Sequence, residues 1–378
     1  MIRLFLLLAC LTTFQTGARA DDDPTFNGRK MSDWLTMLTN DSVARKRKAA
    51  AVALGQIAAD QKSTLKFILP ALANSLRQDP SPGVRGQAAI TLGQQPPETA
   101  GAFVSDLAEC LRTEKDTSVK REVSITLGRI GKLAKGGVLP LIAQLKDTDA
   151  GVRAASAEAL GRIGPDAKGA AKALLDAYPD KDPVVQRQVV FALGRIEADE
   201  QEPIVDVLVN LLKTEKSRDL RYETVMSLGI IVPKTVAAAG AVVGTLSDPD
   251  VETRKQACLT LARMGFVGVK WNEVIRKTVA GDEDKDVRAL AVRALTAAYG
   301  SDAAETIPFL TARLSEDRDY EVRLAIVEEL GSFGAAGKSA IPALRGAMKD
   351  SQIKVREAAT RAVKQIEKPI PKPMEKPS

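Results

Sequence analysis

A leucine followed by glycine returns along this chain at nearly constant spacing. The pair stands at Leu54-Gly55, Leu92-Gly93, Leu127-Gly128, Leu160-Gly161, Leu193-Gly194, Leu228-Gly229 and Leu330-Gly331. Degenerate copies are Leu261-Ala262, Leu295-Thr296 and Val363-Lys364. Successive copies lie 38, 35, 33, 33, 35, 33, 34, 35 and 33 residues apart. A period of that length means that one supersecondary unit is written again and again, each burying its open face on the next. The 378 residues therefore count units in a row rather than separate cores.

Two further columns keep step with the repeated leucine. Seven residues before it stand Arg47, Arg85, Lys120, Arg153, Gln186, Arg221, Arg254, Arg288, Arg323 and Arg356. Six residues earlier again there is always an acid: Asp41, Asp79, Glu114, Asp147, Asp180, Glu215, Asp248, Asp282, Asp317 and Asp350. Four before the arginine column comes a helix-capping residue in eight repeats: Ser81, Asp116, Asp149, Asp182, Ser217, Asp250, Asp284 and Asp319. Pro82 and Pro183 follow two of these caps, at the first helical position, which tolerates proline. The apolar residues behind the cap fall at helical spacing, as with Val152, Ala155, Leu160 and Ile163. Small residues such as Ala88, Ser156, Ala257 and Ala359 allow close helix approach. The glycine after the leucine costs about 1 kcal/mol of helix propensity, so its recurrence implies a contact too tight for a side chain, or a helix end.

A second apolar run precedes each acid, for example at 67–76, 103–111, 204–212 and 307–314. Several of these runs carry proline (Pro70, Pro140, Pro203, Pro308, Pro342), which fits a first helical turn. Each unit thus reads as helix, short acidic turn, helix. The expected fold is all-α: a solenoid of about ten helical hairpins over 32–367. It follows an N-terminal extension at 21–31 and precedes a Pro/Lys-rich tail at 368–378, taken as disordered.

The first twenty residues read differently. Arg3, the apolar stretch Leu4 to Leu11 and Ala18-Arg19-Ala20 form a secretory signal pattern, with cleavage expected after Ala20. That implies a secreted or periplasmic protein without membrane insertion. Cys10, in Leu7-Leu8-Ala9-Cys10, offers a competing lipidation site. Loss of Arg3 and Arg19 lowers the net charge from +6 to +4, mild for such a length, and nucleic acid is not expected as a partner.

Composition excludes much chemistry. The chain has no histidine, so a Ser-His-Asp triad, a His-ligated metal and a histidine switch are out. Cys110 and Cys258 are the only cysteines after Cys10, in no CxxC arrangement, and read as buried thiols. Asp282, Asp284 and Asp286 open like a calcium loop, but Val287 and Arg293 replace the glycine and glutamate such a loop needs. Gly334 to Ser339 lacks the first glycine of a phosphate loop, that position being Ser332. No cofactor or metal is expected.

The pattern acid-x-x-x-x-Val-Arg-x-x-Ala-x-x-x-Leu-Gly-x-Ile-Gly, clearest at Asp147 to Gly164, resembles the HEAT repeat, including the HEAT-like type of phycobilin lyases. The resemblance implies a right-handed superhelix whose second helices line a concave face. It also implies a ladder of hydrogen bonds joining turn acids to helix arginines within and between repeats: Asp79, Arg85, Asp147, Arg153, Asp248, Arg254, Asp282, Arg288, Asp317, Arg323, Asp350 and Arg356. An arginine has donors enough to bridge two such acids; an anion-binding role for the same arginines is the alternative.

Two residues past the repeated leucine stand Arg129, Arg162, Arg195 and Arg263, and Arg121 and Arg187 follow the ladder column. Together they are the expected partner-binding stripe, selecting acidic patches of a protein; the competing reading is simple compensation of helix C-terminal dipoles. Arg45-Lys46-Arg47-Lys48 reads as a solvated end face or a polyanion contact. Trp34 reads as an end cap and Trp271 as core. The expected function is a non-enzymatic interaction scaffold, with a lyase-like enzyme subunit or a polyanion binder as alternatives.

Overall fold

The computed structural model describes residues 23–232, 235–265, 271–299 and 303–368. The signal pattern, Cys10 and nearly all of the tail lie outside them. Among the described residues the chain is an all-α solenoid built from ten helical hairpins, preceded by one two-stranded antiparallel ribbon. It divides into two units, 1–159 and 160–378.

In the first unit the hairpins pair 31–40 with 44–60, 65–78 with 82–93, 104–113 with 117–130, and 138–144 with the helix that begins at Ala150. That last helix, Ala150–Ile163, carries the boundary between the units. In the second unit 171–177 pairs with 183–193, 202–214 with 218–231, 236–244 with 251–264, 272–281 with 285–299, 303–316 with 320–332, and 341–347 with 353–366.

The periodic leucine is the centre of each layer. Leu54, Leu92, Leu127, Leu160, Leu228, Leu261, Leu295 and Leu330 are completely buried, and Leu193 and Val363 nearly so. Burying one leucine stabilises a fold by about 1.5–3 kcal/mol, so nine leucines and one valine at this position give each repeat its own share of core. The intermediate small residues Ala88, Ser156, Ala257 and Ala359 are also fully buried.

The glycine after the leucine is a close contact, and at Gly93 and Gly194 it is a helix end as well. A Cβ at Gly55 would come 2.7 Å from Thr91, at Gly93 2.8 Å from Thr126, at Gly194 2.6 Å from Ser227 and at Gly229 2.6 Å from Thr260. Each of those hydroxyl residues sits one position before the next repeat's leucine. Each also donates back to a carbonyl of the preceding repeat: Thr91 to Ala51 (3.4 Å), Thr126 to Ala89 (2.9 Å), Ser227 to Val190 (3.0 Å) and Thr260 to Val225 (3.0 Å). The missing side chain lets the helices approach until a short hydroxyl spans the gap. Where the eighth repeat has Thr296 instead of glycine, the partner position holds Glu329, and the threonine hydroxyl donates to its carboxylate at 2.7 Å.

Two local expectations are corrected. Pro70 and Pro308 lie inside helices 65–78 and 303–316, not in a first turn. Both prolines face solvent, so water reaches the backbone carbonyls that the missing N–H groups leave unpaired. Of the eight capping residues, Asp116, Asp149, Asp182, Asp250 and Asp284 accept amide hydrogens of the following turn. Ser81, Ser217 and Asp319 make no side-chain cap bond; the Asp319 carboxylate is held by Arg288 at 2.6 Å.

The N-terminal extension forms a short ribbon. Thr25–Phe26 pairs with Arg29–Lys30 across Asn27-Gly28, both at positive φ, the backbone that a two-residue hairpin loop requires. The ribbon docks on helix 31–40: Trp34 donates its indole N–H to the Phe26 carbonyl at 3.2 Å, and the Arg29 guanidinium lies 4.7 Å from the Trp34 ring centroid. Trp34 thus ties the ribbon to the first repeat.

Candidate functional site

The acid and arginine columns meet at most of the turns between paired helices. Each acid follows the first helix and accepts the backbone N–H two residues on; Asp79 does so from Ser81 at 2.9 Å and Asp282 from Asp284 at 3.0 Å. The same carboxylate receives the arginine of the preceding repeat. Arg47 donates to Asp79 at 2.7 and 2.8 Å, Arg85 to Glu114 at 2.7 and 2.8 Å, and Arg221 to Asp248 at 2.6 and 2.9 Å. Arg254 donates to Asp282 at 2.8 and 3.0 Å, Arg288 to Asp317 at 3.0 and 3.1 Å, and Arg323 to Asp350 at 2.7 and 3.0 Å.

The guanidinium's remaining nitrogen turns back to its own repeat and donates to main-chain carbonyls: Arg85 to Asp79, Arg153 to Asp147, Arg254 to Asp248, and Arg356 to Asp350, all at 2.7–3.0 Å. Bridging therefore runs from one acid's carboxylate to the other acid's backbone. Two carboxylates on one guanidinium occur at Arg288, with Asp317 and Asp319, and at Arg254, with Asp282 and, at 3.5 Å, Glu283. These arginines are spent on stacking. That includes Arg47, whose side chain is 9% exposed, so the basic run at 45–48 is smaller than its sequence implies.

Two rungs differ. Lys120 makes one bond to Asp147, at 2.7 Å. Gln186 keeps the bond to its own turn, donating to the Asp180 carbonyl at 2.7 Å, but brings no charge to Glu215. Among the described residues Glu215 accepts the Ser217 amide at 2.6 Å and no side chain.

Asp282, Asp284 and Asp286 are explained by the repeat. Arg254 holds Asp282, and Lys255 lies 3.8 Å from Asp284 and 3.4 Å from Asp286. Gly334–Ala340 is a 3-10 turn leading into helix 341–347. Cys110 and Cys258 are buried free thiols, and burial pushes both up to about 12. Trp271 is half-buried rather than core; its ring packs against Gly240, where a Cβ would come 2.8 Å from it, and both line a cavity of about 650 Å³ with Val236, Ala237 and Pro249.

The regular use of turn acid, helix arginine and buried leucine in ten hairpins is the pattern that a family model described as HEAT repeats matches, over residues 69–136, 104–194, 239–314 and 307–373. The chain belongs to the HEAT-repeat family. The match is to HEAT repeats in general and carries no narrower phycobilin-lyase assignment. No curated protein matches the sequence. Among solved structures, an engineered protein is 23% identical with a TM-score of 0.59, covering 89% of this chain and 99% of its own. Two multiply substituted forms of Kap121p are each 13% identical with TM-scores of 0.55 and 0.54; each alignment covers 92% of this chain and 42% of theirs. At these identities the likeness is one of HEAT-repeat fold.

The expected stripe arginines fall in both units. Arg121 and Arg129 are exposed in the first. In the second, Arg162 and Arg263 are exposed and Arg187 and Arg195 half-buried. Arg195 is more engaged than expected: its guanidinium stacks 3.7 Å from the Phe191 ring centroid and pairs with Glu223 at 3.1 Å. Arg263 donates to the Gly229 carbonyl at 3.2 Å.

A column absent from the sequence reading lies between these arginines. Two residues before the periodic leucine, on the outward side of the second helix, stand Val52, Ile90 and Ile125 in the first unit and Phe191, Met226 and Leu259 in the second. None is core: Val52 and Leu259 are 42% exposed, and the others are partly exposed. The fourth, eighth, ninth and tenth repeats carry Glu158, Arg293, Glu328 and Arg361 there. The HEAT-repeat fold has no need of apolar side chains at that position, since four repeats do without them.

Proposed function

We propose that this HEAT-repeat protein is a non-enzymatic scaffold that binds another protein along the outward faces of its second helices. The observation that carries this reading is the column of partly exposed apolar residues running through consecutive repeats of each unit, bordered by Arg121, Arg129, Arg187 and Arg263. Apolar surface kept in contact with water across several repeats is the mark of an interface, and cations beside it favour acidic partners. Arg162 and Arg195 belong to the same bordering positions. No helix of the described residues is long and apolar enough to cross a membrane.

The place of action is proposed from residues 1–20 alone: export, with removal of the signal after Ala20. N-terminal sequencing of the native protein tests this, and a mature chain that starts at Asp21 is the expected result. The scaffold reading is tested by a photo-crosslinking residue placed in turn at Val52, Ile125, Met226 and Leu259, and at Leu139 and Val236 on first helices. Protein adducts confined to the second-helix positions support it. Adducts confined to Leu139 and Val236 would sink it.

A further inference from the structure

In the second unit three consecutive second helices form a grid with a definite chemistry. The middle helix presents Tyr222, Met226 and Ile230, one turn apart and all apolar or aromatic. The preceding helix presents Arg187, Phe191 and, just beyond its end, Arg195; the following one presents Lys255, Leu259 and Arg263. The nine positions thus make an apolar cross with a cation at each of four corners. Leu259 is 42% exposed and Ile230 37%. The corners are not equally neutralised. Lys255 is shared with Glu252 at 3.2 Å and Asp286 at 3.4 Å, and Arg195 with Glu223 at 3.1 Å. Arg263 bonds a neutral carbonyl and so keeps its charge.

The geometry points to an amphipathic helix with acidic flanks, belonging to a partner protein, as the occupant of this grid; the inference rests on the scaffold reading and names the partner's chemistry. Neighbouring packed helices lie about 8–10 Å apart. Seven residues of a crossing helix advance about 10.5 Å. A helix laid across the three therefore sets one apolar side chain over each of Phe191, Met226 and Leu259, at i, i+7 and i+14. Its flanking positions come over the corners, where carboxylates meet Arg187 and Arg263. Lysines there would meet like charge.

The probes are two synthetic 21-residue helical peptides with leucine at the apolar heptad positions, one flanked by glutamates and one by lysines, titrated into the full chain by fluorescence anisotropy. The glutamate peptide is expected to bind saturably and the lysine peptide at least tenfold more weakly. Met226→Asp should weaken the glutamate peptide at least tenfold, as should Arg187→Glu combined with Arg263→Glu, while Val184→Asp, off the grid, leaves binding unchanged. Should Met226→Asp lose helicity by circular dichroism, Met226→Gln with Leu259→Gln replaces it. Equal binding of both peptides, no saturable binding of the glutamate peptide, or unchanged binding by the Met226 variant overturns the inference. If it fails while crosslinks still map to second helices, the scaffold reading stands; crosslinks confined to first helices remove both.

Discussion

Arg254 grips the Asp282 carboxylate with two hydrogen bonds, at 2.8 and 3.0 Å, from a side chain only 8% exposed, while its third nitrogen holds the Asp248 carbonyl. The contact joins two repeats through groups that are costly to leave unpaired. Arg254→Met keeps the length of the stem but strands a buried carboxylate, and breaking a buried pair from one side costs about 3–5 kcal/mol. Arg356→Met removes bonds to carbonyls only, at the Asp350 and Ser351 end rung, and should cost about 1 kcal/mol. Urea denaturation of the two variants checks the order. Equal losses would mean that the inter-repeat arm adds nothing.

Gln186→Arg supplies the guanidinium that the rung to Glu215 lacks. Gln186 already sits where its amide reaches the Asp180 carbonyl, and among the described residues the Glu215 carboxylate holds the Ser217 amide and no side chain. A charge-assisted pair in this half-buried place should stabilise by about 1–2 kcal/mol. Hydrogen exchange of helices 183–193 and 218–231 should slow together. Unchanged exchange would show that Glu215 is out of reach.

The period, the hairpins, and the acid and arginine columns were legible because each is a fixed offset along one chain. What was missed depends on helical phase or on pairing between repeats. Arg47 stands both in the arginine column and in a run of four charges, and only helix 44–60 shows that it turns inward. Phe191, Met226 and Leu259 look like core leucines and valines in sequence, and only their place on the outward side separates them. The glycine and hydroxyl contacts join positions more than thirty residues apart, so neither Gly93 nor Thr126 announces the other. The N-terminal ribbon did leave a signal, Asn27-Gly28, but strands of two residues have no alternation to read.

Acid should unfold the protein in a narrow range. The Arg323 guanidinium beside Asp350, opposed by partial burial, holds that carboxylate below the usual range. Burial works against ionisation of Asp79 and Glu114, but Arg47 and Arg85 with the turn amides outweigh it, and both are lowered. Carboxylates that titrate lower when folded bind protons more readily in the unfolded chain, so their stabilisation is complete above about pH 4.5 and is lost as pH falls toward the folded values. With no histidine, no such group titrates near 6.5. Thermal midpoints should be level from pH 5.5 to 8 and drop below pH 4; a step near 6.5 would contradict this account.

At Gly55, Gly93, Gly194 and Gly229 the interval between stacked helices is set by glycine meeting a hydroxyl residue, and one methyl group tests it. A Cβ at Gly194 would stand 2.6 Å from the Ser227 Cβ and 2.9 Å from its Cα, so backbone rather than a free side chain has to yield. Gly194→Ala should therefore destabilise by about 1–3 kcal/mol, the cost of overpacking a filled core, despite alanine's better helix propensity. Gly346, in helix 341–347, has nothing within 4 Å of the added atom, and Gly346→Ala should stabilise by about 0.5–1 kcal/mol. Opposite signs in paired thermal melts are the expected outcome. A stabilising Gly194→Ala would mean that the helices can part by a methyl's width at no cost, and that the glycine column does not set their separation.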